Sequence, residues 1–130
     1  PQFKNFYIKN IICQGAETAI LVRGLPEMSI KNINIENAVI EANKGLVCIE
    51  GENINLKNIS LLTKDKTVMQ VQNSKNVVLD GITYGSDKDV LLKVMGTRSE
   101  GVRLLNTDAG KAKKEVELGV GVKGKVVSKK

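Results

Sequence analysis

The sequence predicts an all-β fold: a right-handed parallel β-helix, a solenoid of about five coils of 22–26 residues. Three observations carry the prediction. A four-residue phrase recurs, as I-K-N-I at Ile8 and Ile30, L-K-N-I at Leu56, L-D-G-I at Leu79 and more loosely at Val102, with spacings of 22, 26, 23 and 23. A second apolar segment accompanies the phrase, in the versions AILVRG, LVCIEG, VMQVQN and LLKVMG. Apolar residues alternate in both places, and a unit of about 23 residues cannot bury its own apolar face, so the units must stack, each strand pairing in parallel with its copy about 4.8 Å away. Leucine-rich repeats have a similar period, but the L-x-x-L-x-L framework is missing.

Each element follows from its residues. The phrase reads as a bend between two strands: apolar pairs such as Ile54 and Leu56 alternate, the period slips by one, and the next pair falls at Ile59 and Leu61. The inserted position holds Asn10, Asn32, Asn58 or Gly81, residue types that tolerate a left-handed backbone. Stacked asparagines there are expected to form a side-chain ladder. Lys9, Lys31 and Lys57 would stack outward beside it as solvated surface, a column that Asp80 interrupts. The second strand ends at Gly24, Gly51, Asn73 or Gly96, again a turn with positive φ. Alignment on those turns puts Ile20, Val22, Val47, Ile49, Met69, Val71, Leu92 and Val94 in the core. The same alternation turns Cys13 inward and Cys48 outward, leaving the two cysteines unbonded.

Composition narrows the function classes. The net charge of +6 is concentrated in residues 111–130, where seven Lys face Glu115 and Glu117, so residues 1–110 carry only +1. The expected organisation is therefore β-helix coils over 1–110 and a basic C-terminal tail with a closing strand over 111–130. With 3% aromatic residues and no Trp there is little for nucleic-acid bases to stack on, and no nucleic-acid partner is expected. No apolar run approaches a membrane span, and PQFKNFYIKN lacks the zones of a signal peptide, so Pro1 reads as a cut and no membrane partner is expected. Solenoid coils exposed at such a cut are expected to self-associate through the open N-terminal coil, where Phe6, Ile8, Ile20 and Val22 lie. There is no His, so the usual zinc and copper sites are not expected, and neither metal nor cofactor is called for.

The run from Phe3 to Gly51, FKNFYIKNIICQGAETAILVRGLPEMSIKNINIENAVIEANKGLVCIEG, resembles the C-terminal coils of glycoside hydrolase family 28, the polygalacturonase-like enzymes. The ending LLNTDAGKAKKEVELG is similar too. The resemblance implies a pectin hydrolase that cuts galacturonan or rhamnogalacturonan with inversion, is secreted or periplasmic, and uses aspartates from N-T-D and D-D motifs with G-H-G and R-I-K. This chain has no D-D, His or R-I-K. Its one N-T-D, Asn106-Thr107-Asp108, lies beyond the last clear coil, where Asp108 reads as a turn or capping residue. No catalytic residue is therefore expected here, and the catalytic coils are expected upstream of Pro1. The alternative is a non-catalytic β-helix, a carbohydrate-binding or adhesin-like structural module.

Asp87 and Asp89 in GSDKDV are expected to form a solvated turn rather than a calcium loop, and Gly119 and Gly121 part of a closing strand rather than a phosphate loop. The residue expected to approach the anionic substrate is Arg23. It lies where the resemblance places the strand bearing R-I-K, it points outward, and a guanidinium can hold a galacturonate carboxylate through two parallel hydrogen bonds. Its stacked neighbours are expected to be Glu50, Gln72 and Met95, with an Arg23–Glu50 surface pair as the competing role.

Overall fold

A computed structural model describes residues 4–129. The chain is a parallel β-solenoid of about five turns. Its strands are β1 (Lys4–Arg23), β2 (Ile30–Ile49), β3 (Gly51–Thr63), β4 (Thr67–Gln72), β5 (Lys75–Tyr84), β6 (Lys88–Met95), β7 (Glu100–Leu105), β8 (Ala112–Leu118) and β9 (Val127–Ser128). All named strands pair in parallel, in the order β8-β6-β4-β2-β3-β5-β7-β9, with β1 also on β2. The 20-residue β2 shows how one coil wraps: its first half pairs with β3 and its second half with β4. No helix among the described residues is long and apolar enough to cross a membrane.

Bends in the long strands occur where asparagine takes a left-handed conformation, as at Asn32 (φ 58°) and Asn37 (φ 58°). Here the register differs from the expected one. Asn10, Asn32 and Asn58 do not share a corner, because each coil has two corners separated by a narrow facet. The Asn32 amide donates to Asn5 (2.9 Å) and accepts from Asn53 (3.1 Å), and Asn76 extends that column. Asn37 donates to Asn10 (3.3 Å) and accepts from Asn58 (3.3 Å) in the second column. The ladder is therefore double. Corresponding residues are separated by 27, 21, 23 and 25 positions along the chain.

The second turn is also corrected by one residue in the second coil. Glu50 (φ 55°), not Gly51, occupies the position held by Asn73 and Gly96, and its N–H bonds to the Gln72 carbonyl as that of Asn73 bonds to Met95. Consequently Leu46 and Cys48 enter the core while Val47 and Ile49 face outward. Gly51 is glycine for a different reason: a Cβ there would lie 2.8 Å from Cys48 Sγ and 3.1 Å from Ile54 Cγ1. The other six residues expected in this part of the core are buried.

Apolar columns fill the interior, for example Ile54 on Val77 on Val102, and Leu46 on Met69 on Leu92. Polar atoms enter it as a short internal column in which Ser74 Oγ accepts from the Gly51 N–H (3.0 Å) and Ser99 Oγ accepts from the Ser74 N–H (3.3 Å). The basic C-terminal stretch contributes strands of its own: β8 pairs with β6 and β9 with β7, joined by a turn that includes Gly119 and Gly121 and by a single 3₁₀ turn at Gly124–Val126.

Candidate functional site

Arg23 closes β1 on the outward face, and it is exposed. In-register pairing gives it Ile49, then Gln72 and Met95, as its column. The expected neighbour Glu50 is displaced by the one-residue shift just described. Glu50 turns into the corner and pairs with Arg98 instead, its side chain 11% exposed. No carboxylate is paired with Arg23 among the described residues, and the competing ion-pair role falls away.

A groove of about 260 Å³ lies beside Arg23, also lined by Thr18, Leu21, Lys44, Thr67 and Gln70. Parallel pairing of β1 with β2 sets Thr18 against Lys44 and Leu21 against Val47, so residues from three coils converge on one outward surface. Two cations, two hydroxyls and an amide surround exposed Leu21. That set suits a sugar acid, with charge-assisted bonds for its carboxylate, neutral bonds for its hydroxyls and an apolar contact for its C–H face. Asp65, in the bend after β3, also lines the groove and sets one carboxylate among its two cations. The sequence does not reveal Lys44 in this role, because its nearness to Arg23 depends on inter-coil register.

Asp108, Asp80 and Asp89 serve the scaffold. Asp108 Oδ1 accepts from the Gly110 N–H (2.8 Å), and the Asp108 carbonyl accepts from the Tyr84 hydroxyl (2.5 Å), a turn role as expected. Thr107 Oγ1 accepts from the Ile82 N–H, and Asn106 donates to Asp80, so every member of N-T-D is committed to the fold. Asp89 pairs with Lys113, and Asp87 sits in a turn with φ 61°. No group of His, Cys, Asp and Glu that could hold a metal occurs among the described residues. The expected lysine column is in fact mixed: Lys9, Glu36, Lys57 and Asp80 alternate in sign, and Lys31 lies in another column, paired with Glu52 (3.6 Å).

Both cysteines are free. Cys13 occupies the inward column above Ile40 yet is exposed, while Cys48 is fully buried, opposite to its expected outward placement. Burial raises the Cys48 thiol pKa, which outweighs the lowering by its bond to Ser74, so the thiol is held in its inert protonated form.

The chain matches no protein-family profile, no curated protein and no solved structure.

Proposed function

We propose that these coils are the C-terminal part of a polygalacturonase-like glycoside hydrolase acting on pectin with inversion, its catalytic aspartates outside this chain. In this reading the Arg23 groove contacts the anionic polysaccharide. The observation that carries the reading is the convergence of Arg23 and Lys44 on one outward groove, with hydroxyl and amide donors beside them and, among the described residues, no ion pair to Arg23. The sequence resemblance supplies the substrate class and the secreted or periplasmic setting.

Binding of tetragalacturonate to the folded chain tests it. Arg23→Ala is expected to weaken that binding by about tenfold, as for loss of one charge-assisted contact, with an unchanged melting temperature. Affinity that survives both Arg23→Ala and Lys44→Ala would exclude the groove.

A second reading, a non-catalytic carbohydrate-binding solenoid, is favoured by the commitment of Asp89, Asp108, Glu50, Glu52 and Glu117 to ion pairs and turns. Both readings expect the 130-residue chain to release no reducing ends from polygalacturonate, because positioned acid and base groups are lacking. Release abolished by Asp108→Ala would overturn that expectation and restore N-T-D as catalytic. The readings part when a protein containing these coils together with D-D, G-H-G and R-I-K segments is assayed, since only the first expects hydrolysis.

A further inference from the structure

We infer that the narrow facet between the two asparagine ladders binds a neutral β-1,4-linked glycan lying along the solenoid axis. This is a different surface from the Arg23 groove and does not depend on the pectinase reading. Its outward residues form two columns, Tyr7 on Asn34 on Asn55 on Val78 and Lys9 on Glu36 on Lys57 on Asp80, and residues of both border a shallow groove of about 240 Å³.

Two features point to a ligand. Asparagine is disfavoured inside strands, and the other strand asparagines near this facet stand at corners where their amides bond to one another. Asn34 and Asn55 stand on the flat of the strand instead, one coil apart, and their side-chain amides have no intramolecular partner among the described residues. Each therefore offers a donor and an acceptor outward at successive rungs. The second feature is Tyr7, 61% exposed at the end of that amide column, its hydroxyl donating to the Glu36 carboxylate. Tyrosine offers a large amphipathic contact surface at low conformational cost, and here its ring face is open to a ligand.

Geometry and charge select the occupant. The rungs advance by about 4.8 Å, close to the advance of an extended 1,4-linked pyranose chain, so one sugar can address each rung. β-1,4 linkage gives a flat ribbon, which suits a flat sheet surface. The backbone bonds of this facet are already spent between coils, so a peptide cannot add to it as a strand. Alternating charge in Glu36, Lys57 and Asp80 gives the groove no net attraction for a polyanion, which favours a neutral polymer.

The experiment is calorimetric titration of the folded 130-residue chain with cellohexaose and, separately, hexagalacturonate. Saturable cellohexaose binding is expected, weakened at least about tenfold by Tyr7→Ala and by the double change Asn34→Ala/Asn55→Ala. Circular dichroism checks that each variant is folded; should Tyr7→Ala unfold the first coil, the asparagine double variant decides. Absence of cellohexaose saturation overturns the inference, as does binding that survives both sets of changes. Hexagalacturonate binding that exceeds cellohexaose binding and falls in the Tyr7 or asparagine variants would also overturn it, by assigning the facet to an acidic polymer. The Arg23 groove is judged separately, by its own variants.

Discussion

Gly45→Ala is expected to destabilise the chain by about 3 kcal/mol or more, a large part of the roughly 5–15 kcal/mol that holds a typical domain together. Gly45 needs no unusual φ. What it needs is room: a Cβ there would lie 2.0 Å from the carbonyl oxygen of Val68 in the next coil and 3.1 Å from its carbonyl carbon. Both are backbone atoms, and Val68 is fully buried, so no side-chain rotation can relieve the clash. The coils must separate locally, which disturbs the adjacent stacking of Leu46 on Met69. Gly85→Ala is the matched control, because a Cβ at Gly85 meets nothing within 4 Å and its φ is not in the left-handed region. It is expected to be neutral or slightly stabilising. Urea denaturation of both variants provides the comparison; a Gly45→Ala midpoint equal to that of Gly85→Ala would show that the coils can shift apart at little cost.

The solenoid was legible because its two determinants are local. Alternation of apolar residues marks the strands, and Asn or Gly marks the corners, so the number of coils and most inward positions can be counted along the chain. Register was less legible, for a reason visible in I-K-N-I. The phrase at Ile8 surrounds Asn10 of one ladder and the identical phrase at Ile30 surrounds Asn32 of the other, because both corners require the same residue types. Four residues cannot distinguish two equivalent bends; their partners in the next coil can.

Glu50 illustrates the same limit at the other turn. A glutamate has no intrinsic preference for positive φ, and Gly51 beside it is the natural choice for a turn. What accompanies Glu50 in that conformation is Arg98, 48 residues away, whose guanidinium meets its partly buried carboxylate. The one-residue error then reversed the faces of Val47, Cys48 and Ile49, as a register slip in a strand must. Arg23 faces outward in the sequence pattern and in the structure alike, because its turn lies at Gly24 in both. Its partner in the groove, Lys44, required register across coils and remained hidden.

Lys88→Met is expected to cost about 2–4 kcal/mol, the second large effect in this chain. The sequence GSDKDV suggests a solvated turn, yet Lys88 is only 5% exposed, and its ammonium donates to the carbonyls of Thr63 (2.6 Å) and Asp65 (2.8 Å). These carbonyls belong to the turn that leaves β3, so the cation holds a bend in the preceding coil. Methionine keeps the length and apolar bulk of the stem but leaves both oxygens without this donor, at about 1–3 kcal/mol each. Relief from burying a charge offsets part of that loss. Burial, followed by repulsion from Lys66, lowers the Lys88 pKa below its ordinary 10.5, and attraction to Asp65 only partly restores it. Between the lowered folded value and 10.5 the unfolded chain therefore holds more protons at this site than the folded chain, so its contribution to stability rises with pH. Deprotonation does not free the turn, because a neutral amine still has one N–H for each carbonyl. The wild-type advantage over Lys88→Met should accordingly widen as pH rises from neutrality towards 10.5. Chemical denaturation across that range would contradict this account if the variant matched the wild type or if the gap narrowed with pH.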